Sequence, residues 1–150
     1  MKVFIDTNVI LEYTMERERA EIVDQLFDTL KNQEHQMLMS VGGFYTMLYV
    51  IYKFLKKELH LDKEVRIKTL RSVMQRLLQN FLVAEHDNES LLRGISDANY
   101  TDLEDSCQYQ LAQRAGCQAL ITFNVSDYRN TQNSPVKILT PEEYINKLGE

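Results

Sequence analysis

A chain of 150 residues with 44% hydrophobic content is long enough to bury one substantial core and short for two, so residues 1–150 are expected to form a single domain. The net charge of -5 at pH 7 excludes a protein that grips a polyanion by positive charge over its whole surface; any nucleic-acid contact must be local, or helped by metal. Cys107 and Cys117 belong to no C-x-x-C pair and have no nearby histidine, which excludes a zinc ribbon and reads as small buried thiols in a reducing compartment.

Val3, Phe4 and Ile5 form a short apolar run that stops at Asp6, Thr7 and Asn8 and resumes at Val9, Ile10 and Leu11. This pattern predicts a strand leading into a helix, with Asp6 at the strand's carboxyl end. The same break at Asp6 leaves no signal-peptide core, and the apolar stretch 44–52 falls well short of the ~20 residues of a membrane helix. A soluble, cytoplasmic protein is expected. Residues 16–32 place Ile22, Val23, Leu26, Phe27 and Leu30 at helical spacing. Residues 37–41 make a second strand, which Gly42 and Gly43 punctuate before a helix bearing Phe44, Met47, Leu48, Ile51 and Leu55.

A further helical pattern over 62–79 precedes the apolar run 81–84, the third strand. Leu91, Leu92 and Ile95 suggest a short helix, and the polar link 97–100 leads to another that opens at Asp102 and closes at Gly116, a residue suited to a left-handed cap. Residues 119–122 form a fourth strand. Past a polar loop at 130–135, residues 136–139 suggest a fifth, and Thr140, Pro141 and Glu143 supply the N-cap, first-turn proline and capping-box acid of a closing helix. Strands alternating with helices predict an α/β fold, with a central parallel sheet of four to five strands flanked by helices on both faces.

Asp102 and Asp105 lie three apart in the first turn of their helix, so both project from one face. Asp6 ends the first strand, and Asn124, Ser126 and Asp127 follow the fourth. Ligands of open parallel sheets bind at the carboxyl edge, where these four acids would converge. Gathered carboxylates repel one another unless a cation neutralises them, and an all-oxygen set suits magnesium or manganese. Each acid also has a plainer use: Asp6 and Asp102 can cap the helices that follow them, and Asp105 suits a helix's first turn. Capping leaves unexplained why acids recur at the ends of two strands beside a helix that carries two more.

The run from Phe4 to Leu11 resembles the opening motif of PIN domains, and 102–109, Ala115 with Gly116, 120–122 and 124–128 resemble their carboxyl-terminal half. The resemblance spans nearly the whole chain. It implies a three-layer Rossmann-like sheet and a metal-dependent ribonuclease site, often that of the toxin in a VapC-type toxin-antitoxin pair. RNA as substrate, an antitoxin protein and a second copy of the chain are the partners it implies. Asp6 matches the family's first acid and Asp105 its third. The second acid, a glutamate six residues past a serine that here is Ser40, is replaced by Thr46, and the fourth matches Asn124, with Asp127 three residues beyond. The chain thus looks like a branch of the family that lacks the usual second acid.

The expected activity is a Mg2+- or Mn2+-dependent endoribonuclease. Asp6, Asp105 and Asp127 would hold metal and carry catalysis, Asp102 would support them directly or through water, and Asn8, Thr46, Thr122 and Asn124 would line the site. Two other readings stay open: a non-catalytic binding module on the same scaffold, and a small-molecule phosphohydrolase with Asp6 as nucleophile. Elsewhere, Lys53, Lys56 and Lys57 read as a solvated helix face. Tyr45, Tyr49 and Tyr52 read as packing against the core or a partner subunit. His35, His60 and His86 show no ligand spacing.

Overall fold

The computed structural model describes residues 1–128 and 133–147. In β1 (Lys2–Ile5), Val3 and Ile5 lie in one apolar cluster and Phe4 in another, because successive side chains of a strand point to opposite faces. Both faces are therefore buried, as the continuous apolar run requires. After β1 come α1 (Thr7–Thr14), α2 (Ala20–Asn32), β2 (Gln36–Ser40), α3 (Val41–Lys57), α4 (Lys63–Asn80) and β3 (Phe81–Ala84). The second half holds α5 (Asn88–Ser96), α6 (Leu103–Arg114), β4 (Ala119–Ile121), a 3-10 turn at Val125–Asp127, β5 (Lys137–Leu139) and α7 (Pro141–Lys147).

The five strands pair in parallel in the order β3-β2-β1-β4-β5. The chain builds outward from β1 through β2 to β3, then crosses back to add β4 and β5 on the other side. The order reverses between β1 and β4, and a crevice opens at such a switch point outside the carboxyl ends of the strands. The larger cluster joins β1 and β2 to α1, α2, α3, α4 and α7, and includes Ile10, Leu26, Leu30, Met47 and Ile51. On the opposite face Phe4, Leu38, Tyr100, Tyr109, Leu111, Leu120 and Tyr128 pack together. This is the three-layer α/β arrangement expected from the sequence. Among the described residues no helix is long and apolar enough to cross a membrane.

Several boundaries differ from expectation, each for a local reason. The second strand stops at Ser40, whose hydroxyl caps α3 by accepting the Gly43 N–H at 2.8 Å, so Val41, Gly42 and Gly43 lie inside the helix's first turn and not ahead of it. Glycine is needed there because a Cβ on Gly43 would stand 2.4 Å from Thr7 Oγ1 and 2.9 Å from Ser40 Oγ. The helix expected over 16–32 begins at Ala20. Glu16 has φ of +49°, and the buried Glu12 carboxylate accepts the Arg19 N–H at 3.0 Å, which holds a turn in front of the helix. The fourth strand ends at Ile121, although the Thr122 N–H still donates to Leu139 O at 3.0 Å. The fifth begins one residue late, at Lys137. Of the polar loop expected at 130–135, residues 130–132 lie outside the described residues. Tyr45 and Tyr49 do not pack on the core; they are 66% and 64% exposed.

Candidate active site

Asp6 follows β1 directly, and its N–H donates to Ile121 O at 3.0 Å, which extends the β1–β4 ladder to the switch point. Its side chain is buried, at 2% exposure, and is met by three donors: the Thr122 hydroxyl at 2.8 Å on Oδ2, and the Asn8 N–H and Gln108 Nε2, both at 3.4 Å, on Oδ1. Burial pushes the Asp6 carboxyl above its ordinary proton affinity, and the charge of Asp102 adds to this; the Thr122, Asn8 and Gln108 hydrogen bonds act the other way. The carboxylate is held in a fixed orientation but is expensive to ionise.

Asp105 is half-buried in the first turn of α6, where the Tyr128 hydroxyl donates to its Oδ1 at 3.2 Å. Burial raises its pKa to about 7, with the charges of Asp6 and Asp102 next in weight, the Tyr128 hydrogen bond opposing, and a small contribution from Asp127. Asp102 is the N-cap of α6: its Oδ1 accepts the N–H groups of Glu104 at 3.0 Å and Asp105 at 3.3 Å. The capping use and the electrostatic one therefore coexist in one side chain. The helix is brought to the site by its packing on α5, where Ser106 Oγ donates to Gly94 O at 2.7 Å and a Cβ on Gly94 would meet Cys107 Sγ at 2.8 Å.

The remaining expected residues divide. Thr122 contacts Asp6 directly. Asn124 serves through its backbone, donating its N–H to Thr122 Oγ1 at 3.1 Å with φ −109° and ψ 57°. Asn8 likewise contributes its N–H to the Asp6 carboxylate, while its side chain is exposed. Asp127 ends the 3-10 turn, exposed, with its N–H on Asn124 O at 3.0 Å; it touches the group only through its effect on Asp105. Thr46 is exposed on α3 and forms no side-chain hydrogen bond among the described residues.

Three participants escaped the sequence reading. Glu104, exposed in the first turn of α6, has its proton affinity raised by partial burial and then by the charges of Asp102 and Asp6. Gln108 is buried and reaches Asp6, and Tyr128 orients Asp105. Gln108 carried a weak signal, since it stands one turn past Asp105 on the same helix face.

A family model described as PIN domain matches residues 2–126. This chain belongs to the PIN domain family. It is 31% identical over 145 residues to a protein of Aquifex aeolicus (strain VF5) named Ribonuclease VapC1, covering 95% of this chain and 92% of that one. Among solved structures, a toxin-antitoxin complex from Klebsiella pneumoniae has a chain similar to this one, with TM-score 0.61, 18% identity and coverage of 93% and 97%. VapBC2 from Rickettsia felis, bound to a DNA fragment from its promoter, is similar at TM-score 0.64 and 12% identity, with coverage of 92% and 97%.

The acid group of this PIN domain has the donor chemistry for a hard cation, but not a closed cage. Among the described residues no three His, Cys, Asp or Glu side chains stand together as ready metal ligands. What is present is a mutually repelling pair, Asp6 and Asp105, with the Gln108 Oε1 buried beside it and without a hydrogen-bond partner. An open, all-oxygen site of this kind suits magnesium, which keeps several waters and takes one or two carboxylates.

Proposed function

We propose that this PIN domain, acting as one unit over residues 1–150, is an endoribonuclease that uses Mg2+ or Mn2+. The observation that carries the reading is the pairing at the β1–β4 switch point of a buried, donor-locked Asp6 with an Asp105 whose pKa is raised to about 7. Asp6 also caps α1 through the Asn8 N–H, but capping does not call for two neighbouring carboxylates of raised proton affinity, a combination that marks functional sites. Asp6 and Asp105 would hold the ion, with the Gln108 amide oxygen and Asp127 reaching it directly or through water, and Asp102 adding charge from its cap position. The ion, when bound, supplies Lewis acidity toward water and charge neutralisation at a phosphodiester.

The protein's own part is orientation. The Thr122 hydroxyl and Gln108 amide fix Asp6, Asn124 fixes Thr122, and Tyr128 fixes Asp105, so the two carboxylates are set before substrate arrives. The relative's name supports RNA as the substrate. The two toxin-antitoxin assemblies support an antitoxin as protein partner. A second copy of the chain is proposed as well, with Leu91, Leu92, Ile95 and Leu103 as an exposed apolar surface for it. A monomeric mass in light scattering at micromolar concentration would remove that last element.

The decisive experiment is cleavage of a labelled single-stranded RNA by the wild type and Asp6→Asn, with Mn2+ and with EDTA. The expected result is cleavage by the wild type in Mn2+ alone. Equal cleavage in EDTA, or by the Asp6→Asn protein, would defeat the reading.

A further inference from the structure

Charge is not spread evenly along this chain. Residues 41–80 hold eight of its 17 Lys and Arg but only three of its 22 Asp and Glu, a local charge of +5 in a protein of net charge -5. The rest of the chain is therefore at -10. The segment 41–80 spans α3 and α4, which pack on each other. Within α3 itself Lys53, Lys56 and Lys57 stand without a single acid.

Tyr45, Tyr49, Tyr52, Lys53 and Lys56 recur at three- and four-residue spacing, so they share one side of α3. Tyr45 and Tyr49 are the most exposed aromatic rings of the described chain, at 66% and 64%. Lys53 Nζ lies 3.2 Å from the Tyr49 hydroxyl and 4.9 Å from its ring centroid, and the Arg66 guanidinium of α4 reaches the Tyr52 hydroxyl at 3.0 Å. This side of α3 thus alternates aromatic faces with cations. The helix itself starts beside the acid group, on its buried stripe: Gly43 packs against Thr7, the residue after Asp6, and the tyrosine side is its opposite, exposed side. From there the 17 residues of α3 run for roughly 25 Å.

We infer that this side of α3, with the cations of α4 behind it, is a track for single-stranded RNA that leads to the acid group. Tyr45 and Tyr49 stack on bases and Lys53 and Lys56 meet phosphates, while the buried Arg66 holds the Tyr52 hydroxyl and adds its charge from behind. Stacking on exposed rings beside a basic groove is how single strands are held without sequence readout. Such a track also answers an electrostatic problem, because the acids at the sheet edge repel the phosphates they would cut, and only the 41–80 segment carries the opposite sign. A self-association through the same helix side is disfavoured, because a two-fold interface brings together two copies of one patch, here two patches of the same positive sign. The inference rests on the ribonuclease reading for the identity of the strand as RNA.

The test is fluorescence anisotropy of a labelled single-stranded RNA of about 12 nucleotides, and of its duplex, with the full chain in EDTA so that binding is read without cleavage. Tyr45→Ala and Tyr49→Ala should each weaken single-strand binding about 5- to 100-fold, with Tyr45→Phe close to the wild type. Lys56→Ala should lower the salt dependence by about one ion released, and the duplex should bind more weakly than the single strand. Both rings point to solvent, and unchanged melting temperatures of the variants verify folding. Wild-type affinity in both tyrosine variants, absence of binding by the wild type, or conversion of a dimer to a monomer by Tyr49→Ala would each overturn the track. The two readings separate in a parallel Mn2+ cleavage assay. Tyrosine-dependent binding without any cleavage keeps the track and sinks the nuclease, whereas cleavage with an unchanged KM in both tyrosine variants sinks the track alone.

Discussion

The acid group at the β1–β4 edge and the basic side of the α3–α4 pair are both concentrations of like charge, yet they are built in opposite ways. At the edge the charges are withdrawn from water: Asp6 is buried, Asp105 half-buried, and burial leads the causes of their raised proton affinities. On the helices the cations stand on long side chains that keep their heads in solvent or against tyrosine rings. Like charges cost little when each keeps its hydration and much when they share a desolvated site. The first region therefore stores a demand for a counter-ion, while the second offers a field to an incoming polyanion.

The largest effects should come from the demand itself. Asp105→Ala is expected to lower Mn2+-dependent RNA cleavage by about 100-fold or more and to weaken Mn2+ affinity measured by calorimetry. Asp127→Ala, at the exposed margin, should cost about 10-fold, and Asn124→Asp should preserve or strengthen the affinity. A loss in Asp105→Ala with none in Asp127→Ala would reduce the site to Asp6 and Asp105, with Asp127 an ordinary turn residue.

The next prediction concerns the junction of the two regions. Gly43→Ala would drive a Cβ to 2.4 Å from Thr7 Oγ1, and should destabilise the protein by about 1–3 kcal/mol in urea unfolding. Gly42→Ala has only Ser40 Oγ, at 4.0 Å, within reach, and should be neutral or slightly stabilising in the same helix. Equal behaviour of the two variants would show that α3 does not press on α1 as described.

Removing the cap of α6 should be smaller. Asp102→Ala loses the hydrogen bonds from Glu104 and Asp105 N–H and should cost about 1 kcal/mol, while Asp102→Asn keeps a capping oxygen and relieves the charge on Asp105. The Asn variant should therefore be at least as stable as the wild type without metal, and clearly more stable than the Ala variant.

The smallest effect is a pH dependence whose sign is specific to the edge. Asp105 in the folded chain keeps its proton to about pH 7, whereas an unfolded Asp releases it near 3.9. The folded state binds the extra proton in that window, so this contribution to stability is full below about pH 4 and is lost as pH rises toward 7. Thermal unfolding in EDTA should show Asp105→Asn gaining on the wild type as pH rises from about 4 to 7. Asp6→Asn should gain less, because an amide cannot accept from Thr122 and Gln108 as both carboxylate oxygens do. Near pH 7, millimolar Mn2+ should reverse the order by stabilising the wild type. Persistence of the order in Mn2+ would count against an ion at the edge.

The sequence by itself determined the layered α/β fold and most of its order. An apolar run buried on both faces, as at Phe4 between Val3 and Ile5, can only be an interior parallel strand once helices alternate with it. The strand-end position of Asp6 was equally legible, because it follows from local periodicity; Asp102, expected on one helix face with Asp105, stands instead just outside α6 as its N-cap. Tertiary structure alone decided which polar residues meet them. Gln108 lies 102 positions from Asp6 and Thr122 lies 116, and Tyr128 finds Asp105 across a turn that no periodicity describes. It also decided why residue 43 is a glycine, since a Cβ there would run into the Thr7 hydroxyl of another helix. The cations of 41–80 were countable from the start, but net charge averages a chain that folding then divides. Periodicity is written between neighbours in sequence, whereas hydrogen-bond partners and fields are set by distances that only the closed sheet fixes.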